Sequence, residues 1–345
     1  SYLNLSNAIS KLAPDASYIG LTATASVNVL RDIQNEFNIE DMDVKTPLNY
    51  TREELKFNVI DDSGRKENEL QNQLLELNKK WNTLEPNDKD SRCGIIFTPH
   101  VNGDKGCYTL SNNLSTSLNA DVRFYSGSVP KINRQAVMKD KEFNKYKRDV
   151  QDGFKNNKFT LLAATKAFGM GVNKGNIFYT IHYGLPSSME SLYQEAGRAG
   201  RDKSKFVDEK AECLVLLTPE TNERVLDSLW EATVTLDDLK EVSKQTLRNG
   251  DINTNLFMFT SSLDTINNEF SLMKDLYKQY YSADKLKQLV LSSSLNATKA
   301  KVEKAIYRLS QLGIVVDWTI EDFFRGKFEV EFKEHNEKDV QETMI

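Results

Sequence analysis

Apolar residues along this chain keep two different rhythms, and the change falls near Glu220. Before that point, short apolar runs alternate with stretches spaced for helices. Phe57–Ile60, Gly94–Pro99, Val122–Tyr125, Leu161–Thr165, Ile177–Tyr183 and Cys213–Leu217 read as strands, the last closing the sheet. Leu70, Leu74, Leu77 and Trp81 mark one face of an amphipathic helix, and Tyr108–Leu118 reads as another. Strands and helices alternating at this spacing predict a parallel, doubly wound α/β sheet with helices on both faces. Upstream, Asn4–Leu12 has helical spacing, Tyr18–Leu21 reads as a strand, and Ser26 is placed to cap a helix running to about Phe37.

Beyond Glu220 the strand-helix rhythm is lost. Ile266, Phe270, Met273, Leu276, Tyr277 and Tyr280 recur at helical spacing, which marks a packed helix whose aromatic stripe is core. Thr298–Gln311 reads as a helix with Val302, Ala305, Ile306 and Leu309 inward, stopped at Leu312-Gly313. Two β-rich runs follow, Ile314–Ile320 and Lys327–Phe332, and His335–Ile345 is a polar tail expected to be disordered.

The polar punctuation of this pattern carries the chemistry. Gln194-Glu195-Ala196-Gly197-Arg198-Ala199-Gly200-Arg201-Asp202 sets two arginines three positions apart among glycines. A guanidinium stays charged and fits phosphate oxygens two at a time, and glycine lets backbone approach a bulky anion. Upstream, the run Leu161–Ala164 ends at Thr165 and breaks into Lys166-Ala167-Phe168-Gly169-Met170-Gly171-Val172-Asn173-Lys174. That is a buried strand delivering a polar loop at its carboxyl end, where open α/β sheets bind ligands. Ile19–Ser26 and Gly94–Pro99 repeat the strand-then-hydroxyl layout.

In this order the segments resemble the later motifs of RecQ-family DNA helicases of superfamily 2. Leu21-Thr22-Ala23-Thr24-Ala25 looks like motif III, Gly94–Pro99 like motif IV, Ala163–Lys174 like motif V and Gln194–Asp202 like motif VI. Tyr125-Ser126-Gly127 sits where the family has a short aromatic-small-Gly DNA contact. The likeness covers roughly residues 1–220 and is nearly literal in motifs V and VI. DEAD-box RNA helicases usually write motif VI around His-Arg, so the wording here points to RecQ. The chain has no Gly-x-x-x-x-Gly-Lys-Ser/Thr loop and no Asp-Glu-x-His stretch, both of which the family carries upstream of motif III. The expectation is a carboxyl-terminal part of a helicase. Residues 1–50 would be a remnant of the first RecA-like motor domain and 51–220 the second. Residues 221–333 would form a helical, winged-helix-like domain, ahead of a tail over 334–345.

The resemblance implies ATP with Mg²⁺, held mainly by a first motor domain upstream, so that the chain alone lacks ATPase. Arg201 would be the arginine finger on the γ-phosphate, with Arg198 supporting it and Gln194 linking the nucleotide side to the strand side. Gly171, Asn173 and Lys174 would meet the nucleotide or the coupling network, and Thr22 and Thr24 would couple cleft closure to strand movement. The family often has Asp where Asn173 stands. Thr98, Pro99, Ser126, Gly127, Thr165 and Lys166 are the candidates for sugar-phosphate contacts to single-stranded DNA, with capping of the local backbone as the other use of each hydroxyl. On the 298–311 helix, Lys301, Lys304 and Arg308 share an outer face that would meet duplex phosphates or stay solvated. The charge-rich run Lys139–Asp152 reads as a solvated helix face, with a duplex contact as the alternative.

Composition narrows this further. The chain has 345 residues, 28% charged and 39% hydrophobic, which suits about two soluble domains. Its net charge of −5 means that nucleic acid must be met by a local basic groove. No apolar run reaches the roughly 20 residues of a membrane span, and Ser1 opens no signal peptide. Many RecQ proteins carry a four-cysteine zinc module. Cys93, Cys107 and Cys213 are scattered, as are His100, His182 and His335, so no zinc is expected. Free thiols fit a cytoplasmic protein, nucleoid-associated if bacterial. Two rival functions are an RNA helicase and a non-catalytic scaffold that binds DNA or protein.

Overall fold

The computed structural model describes residues 4–22, 25–46, 51–87, 91–169, 172–245, 250–322 and 324–334. They fall into two compact units, one built from residues 45–261 with 25–26, the other from 4–22, 27–44 and 262–334. The units part beyond Ser261, well after the change of rhythm at Glu220, so the helices Glu223–Trp230, Leu236–Gln245 and Asp251–Ser262 group with the sheet.

The larger unit is a six-stranded parallel sheet. Its strands are β1 (Leu55–Asp61), β2 (Cys93–Phe97), β3 (Val122–Tyr125), β4 (Leu161–Ala164), β5 (Ile177–Tyr183) and β6 (Ala211–Leu217), in the order β1-β6-β5-β2-β4-β3. This is the parallel α/β sheet expected of a RecA-like domain. The last strand does not close the sheet at an edge: β6 lies between β5 and β1, because β1 pairs with it along its whole length. β2, β4 and β5 are buried at every residue, which requires cover on both faces. The helix Lys66–Trp81 supplies part of that cover through Leu70, Leu74, Leu77 and Trp81. Gly94 admits the ring of Tyr179 so closely that a Cβ there would stand 2.0 Å from it, so only glycine fits.

One buried charge cluster ties the sheet to a later helix. The Lys66 ammonium meets Asp62 at 3.0 Å, the carbonyl of Leu216 at 2.8 Å, and the carboxylate of Asp251. Asp251 also accepts the Thr218 amide at 2.8 Å, while the Thr218 hydroxyl donates to Asp62 at 2.9 Å. Every member has a partner, as burial of charge demands.

In the smaller unit the helix Lys299–Gln311 turns Val302, Ala305, Ile306 and Leu309 inward and ends where Gly313 takes φ +72°. It packs on a three-stranded antiparallel sheet of β7 (Lys287–Leu291), β8 (Val315–Asp322) and β9 (Lys327–Phe332), ordered β8-β9-β7. The strands after Gly313 match the expectation, but β7 was not legible. Only Val290 of Lys287–Leu291 is buried, so the segment lacks the apolar alternation that marks a half-buried strand. In the helix Ile266–Tyr280, Met273 and Leu276 are core, whereas Ile266 at its first residue is exposed.

The helices Leu5–Leu12 and Val27–Phe37 form, but the strand expected at Tyr18–Leu21 does not. Ile19 and Leu21 are solvent-exposed, and no described strand hydrogen-bonds to this stretch. A parallel strand has no hydrogen bonds of its own and exists only beside a neighbour. The expected tail over 335–345 lies outside the described residues, and no described helix is long and apolar enough to cross a membrane.

Candidate nucleotide and nucleic-acid site

Helix Met189–Ala196 carries the Gln194–Asp202 segment into place. The Ser188 hydroxyl caps it by accepting the Ser191 amide at 3.1 Å. The chain leaves the helix at Gly197 and turns through Gly200 at φ +65°, where a Cβ would press within 3.1 Å of Glu54 and Leu55. This exit leaves carbonyls without helical partners. Arg52 satisfies them, donating to the oxygens of Gly197 at 3.4 Å, Ala199 at 3.3 Å and Gly200 at 2.8 Å. Glu54 in turn holds Arg52 at 3.2 Å and Lys203 at 2.7 Å.

The hydrogen bond from Lys203, with smaller help from the backbone and Arg52, holds the Glu54 carboxyl down at about 2. A carboxyl depressed in the fold stabilises it above the ordinary value of 4.5 and loses that contribution as pH falls toward 2. Glu54→Gln is therefore expected to flatten the acid-unfolding curve within that window, followed by circular dichroism. An acid transition identical to the parent's would remove Glu54 from the role.

The two arginines sit in this clasped loop without carboxylate partners among the described residues. Arg201 donates Nε to the Gly197 carbonyl at 3.4 Å and Nη1 to the Val172 carbonyl and Asn173 Oδ1, each at 3.3 Å. Its side chain is otherwise exposed, which leaves guanidinium donors for an incoming anion. Arg198 is half-buried, and its Nε has no hydrogen-bond partner. Burial lowers the pKa of both; Arg201 adds to this at Arg198 against the pull of Glu195, and Arg52 adds to it at Arg201. Guanidinium groups remain charged regardless. The loop therefore stores two close, incompletely satisfied cations.

Structure thus brings Arg201, Arg198 and Asn173 together. Gln194 is exposed on the same helix. Lys174 does not share that cluster: its buried ammonium donates to the Lys155 carbonyl at 3.4 Å and to the Asn157 side chain, 5.1 Å from the Phe154 ring. Desolvation there lowers its pKa. Gly171 and Thr24 lie outside the described residues, and Thr22 is exposed in the other unit.

The strand-end candidates form a row. Phe97 pairs with Ala164 and Ala164 with Tyr125, so Thr98, Thr165 and Ser126 leave neighbouring strands at one level. The Thr98 amide bonds the Ala164 carbonyl at 2.8 Å and the Thr165 amide the Tyr125 carbonyl at 3.1 Å. At Gly127 an added Cβ would stand 3.3 Å from the Cβ of Ala167; Lys166 is exposed and Pro99 half-buried. However, the Thr98 hydroxyl donates to the His100 carbonyl at 2.9 Å and Ser126 to the Ser128 carbonyl at 2.8 Å. Phosphate oxygens only accept, so these hydroxyls meet a strand only by giving up those bonds.

Two residues outside the sequence reading join the site. His182, on β5, places Nδ1 3.1 Å from Glu195 Oε2 and stacks on Phe97, with ring centroids 5.5 Å apart. Arg52 lies 145 positions from Gly197, and no local pattern links them. In the smaller unit the outer face of Lys299–Gln311 is already paired: Lys301 meets Asp264 at 2.6 Å, Lys304 meets Glu269, and Arg308 donates to Gln311 at 3.1 Å. Cys93, Cys107 and Cys213 are buried, their thiols pushed up to about 11 by desolvation, and no described group of three or more His, Cys, Asp or Glu could hold a metal ion.

Residues 69–203 match the family described as helicase conserved C-terminal domain. The chain is 30% identical over 203 residues to the RecQ-like DNA helicase blm-1 of Caenorhabditis elegans, covering 58% of this chain and 18% of that protein. It is 29% identical over 221 residues to the ATP-dependent DNA helicase RecQ of Bacillus subtilis (strain 168), covering 64% of this chain and 31% of that one. A shorter match, 50% over 62 residues, is to the putative ATP-dependent RNA helicase R290 of Acanthamoeba polyphaga mimivirus, covering 18% of this chain and 11% of that protein. Residues 69–203 are thus similar to helicase C-terminal domains, and the chain is similar to RecQ-type helicases over about half its length. It spans less than a third of the RecQ relatives' own length.

Proposed function

We propose that this chain supplies the second motor domain of an ATP-dependent DNA helicase, with residues 51–220 acting as that domain. Residues 1–50 would complete a first motor domain, and residues 221–333 would act as a helical, winged-helix-like attachment. The observation that carries the reading is the Arg198–Arg201 pair, in a loop whose carbonyls Arg52 holds, with no carboxylate partner for either among the described residues. ATP and Mg²⁺ would be held chiefly by the first motor domain. Arg201 would reach the terminal phosphate, and Arg198 would reinforce the positive field there. Bound ATP supplies the phosphoryl group whose charge, spread over its oxygens during transfer, the guanidinium offsets. The strand-end row from Thr98 to Gly127 and Thr165 would hold the backbone of one DNA strand without reading its bases, as a translocating motor requires. His182, stacked on Phe97 next to Thr98 and bonded to Glu195 next to Gln194, would join the two halves of the site.

The RecQ-like relatives favour DNA, and the short likeness to a putative RNA helicase supports the alternative. ATPase turnover of the full-length protein, measured with single-stranded DNA and with RNA, tests the choice. Stimulation by DNA is expected; stimulation by RNA alone would move the assignment, and response to neither would leave the scaffold reading.

A further inference from the structure

The charge-rich helix after β3 lines a groove that the strand-end row does not account for. Helix Asp140–Lys155 is fastened to the sheet on its inner side by Phe143, Val150 and Phe154. Its Tyr146 ring stacks on Phe124 at 4.7 Å, and the Tyr146 hydroxyl donates to the Phe124 carbonyl at 3.2 Å. Its outer side, together with Tyr125, borders an open cavity of about 710 Å³ lined by Tyr125, Lys141, Asn144, Lys147, Arg148 and Gln151. Three cations and two amides line it, and no carboxylate does.

The acids of the same helix are placed elsewhere. Asp140 and Glu142 sit in its first turn, where they complement the helix dipole, and Glu142 accepts the Lys139 amide at 3.1 Å. Asp149 and Asp152 do not border the groove. Lys141, Lys147 and Arg148 form no ion pair among the described residues, in contrast to Lys301 and Lys304. In a chain of net charge −5, three cations facing one groove that no carboxylate lines form a local basic patch of the kind by which nucleic acid is met.

We infer that this groove is a second phosphate track, which takes the backbone of single-stranded nucleic acid as it leaves the strand-end row at Ser126. The inference rests on the nucleic-acid reading above. Lys141 to Gln151 spans ten residues of helix, about 15 Å, long enough for more than one phosphate of a single strand. The cations are spread along that length, with Asn144 as a neutral donor between them and Gln151 as one beyond them. Tyr125 joins the groove to the row, since it lines the groove and directly precedes Ser126. Its ring packs edge-on against Phe168 at 5.0 Å, which holds it in place for an unpaired base. Duplex offers no unpaired base there, so a single strand is the fitting partner.

The test is a salt titration of binding by the chain, using fluorescence anisotropy and a labelled oligothymidylate of about 20 nucleotides, longer than a typical single-strand site. Neutralising three phosphate contacts removes about 0.7 each from the slope of log K against log salt. Lys141→Gln/Lys147→Gln/Arg148→Gln is therefore expected to flatten the slope by about 2 and weaken binding on the order of 100-fold near 0.1 M salt. Lys141→Arg/Lys147→Arg/Arg148→Lys should keep the parent slope, and each single Gln substitution should by itself flatten the slope by about 0.7, a third of the triple variant's change, which covers an unstable triple variant. An unchanged slope in the Gln variants of a parent that binds overturns the track alone. A parent that binds no oligonucleotide overturns both the track and the nucleic-acid reading. Displacement of the oligonucleotide by polyglutamate at equal charge would reassign the groove to acidic peptides.

Discussion

On the proposed function, Arg201→Ala in the full-length protein is expected to lower DNA-stimulated ATP turnover by on the order of 10³-fold or more, with nucleic-acid affinity and thermal stability close to the parent's. The side chain contributes little to the fold: its bonds to the carbonyls of Gly197 and Val172 are long, and much of it is exposed. Its removal therefore takes away a charge for the phosphates more than a structural contact. Arg201→Lys should recover only a small part, because an ammonium is a point charge and cannot bind two oxygens in one plane. Turnover within about threefold of the parent, less than about 1 kcal/mol of barrier, would strip Arg201 of the finger role. Arg198→Ala is the more ambiguous variant, since Arg198 is half-buried and its loss also alters packing.

The largest stability effect is expected at Lys66. Its ammonium is buried and serves Asp62, Asp251 and the Leu216 carbonyl. Lys66→Met keeps the aliphatic stem but leaves two buried carboxylates, with only Lys105 nearby, 3.6 Å from Asp251. Breaking a buried pair by removing one partner costs about 3–5 kcal/mol. The urea midpoint should fall accordingly with an unchanged m-value, because the surface exposed on unfolding is the same. Lys66→Met/Asp62→Asn/Asp251→Asn should recover part of the loss by removing the stranded charges. A single-variant cost below about 1 kcal/mol would mean that water already screens the cluster.

Legibility in the sequence followed the range of the forces involved. Val122–Tyr125 and Ile177–Tyr183 were readable to the residue because an apolar run between turn residues has few other uses. The inward face of Lys299–Gln311 and its stop at Gly313 were readable for the same reason, since both are local features of a helix. β7 escaped because four of its five residues are not buried, so its strand character comes from pairing with β9 alone. Tyr18–Leu21 shows the reverse: residues suited to a strand, with no neighbour to bond.

In the candidate site the division is similar. The identity of the phosphate-seeking groups is written in the Gln194–Asp202 segment, where arginines and glycines alternate within one turn. Their readiness is decided by partners far along the chain. Arg52 satisfies the loop carbonyls that would otherwise attract Arg201 more closely, and Glu54 holds Arg52. Likewise Lys174, adjacent to Asn173 in the chain, turns into the domain because Asn157 and the Lys155 carbonyl receive it.

By itself, then, the order of residues determined the strands of the parallel sheet, the loops that end at its carboxyl edge and the charges those loops carry, but neither β7 nor the missing strand at Tyr18–Leu21. Tertiary structure alone decided which of those charges stay available. Lys301 and Lys304 are paired by Asp264, just before the helix Ile266–Tyr280, and by Glu269 on it, while Lys141, Lys147 and Arg148 border a groove that no carboxylate lines. The physical reason is that periodicity is a property of adjacent residues, whereas the pairing of a charge depends on what the fold brings within about 4 Å of it.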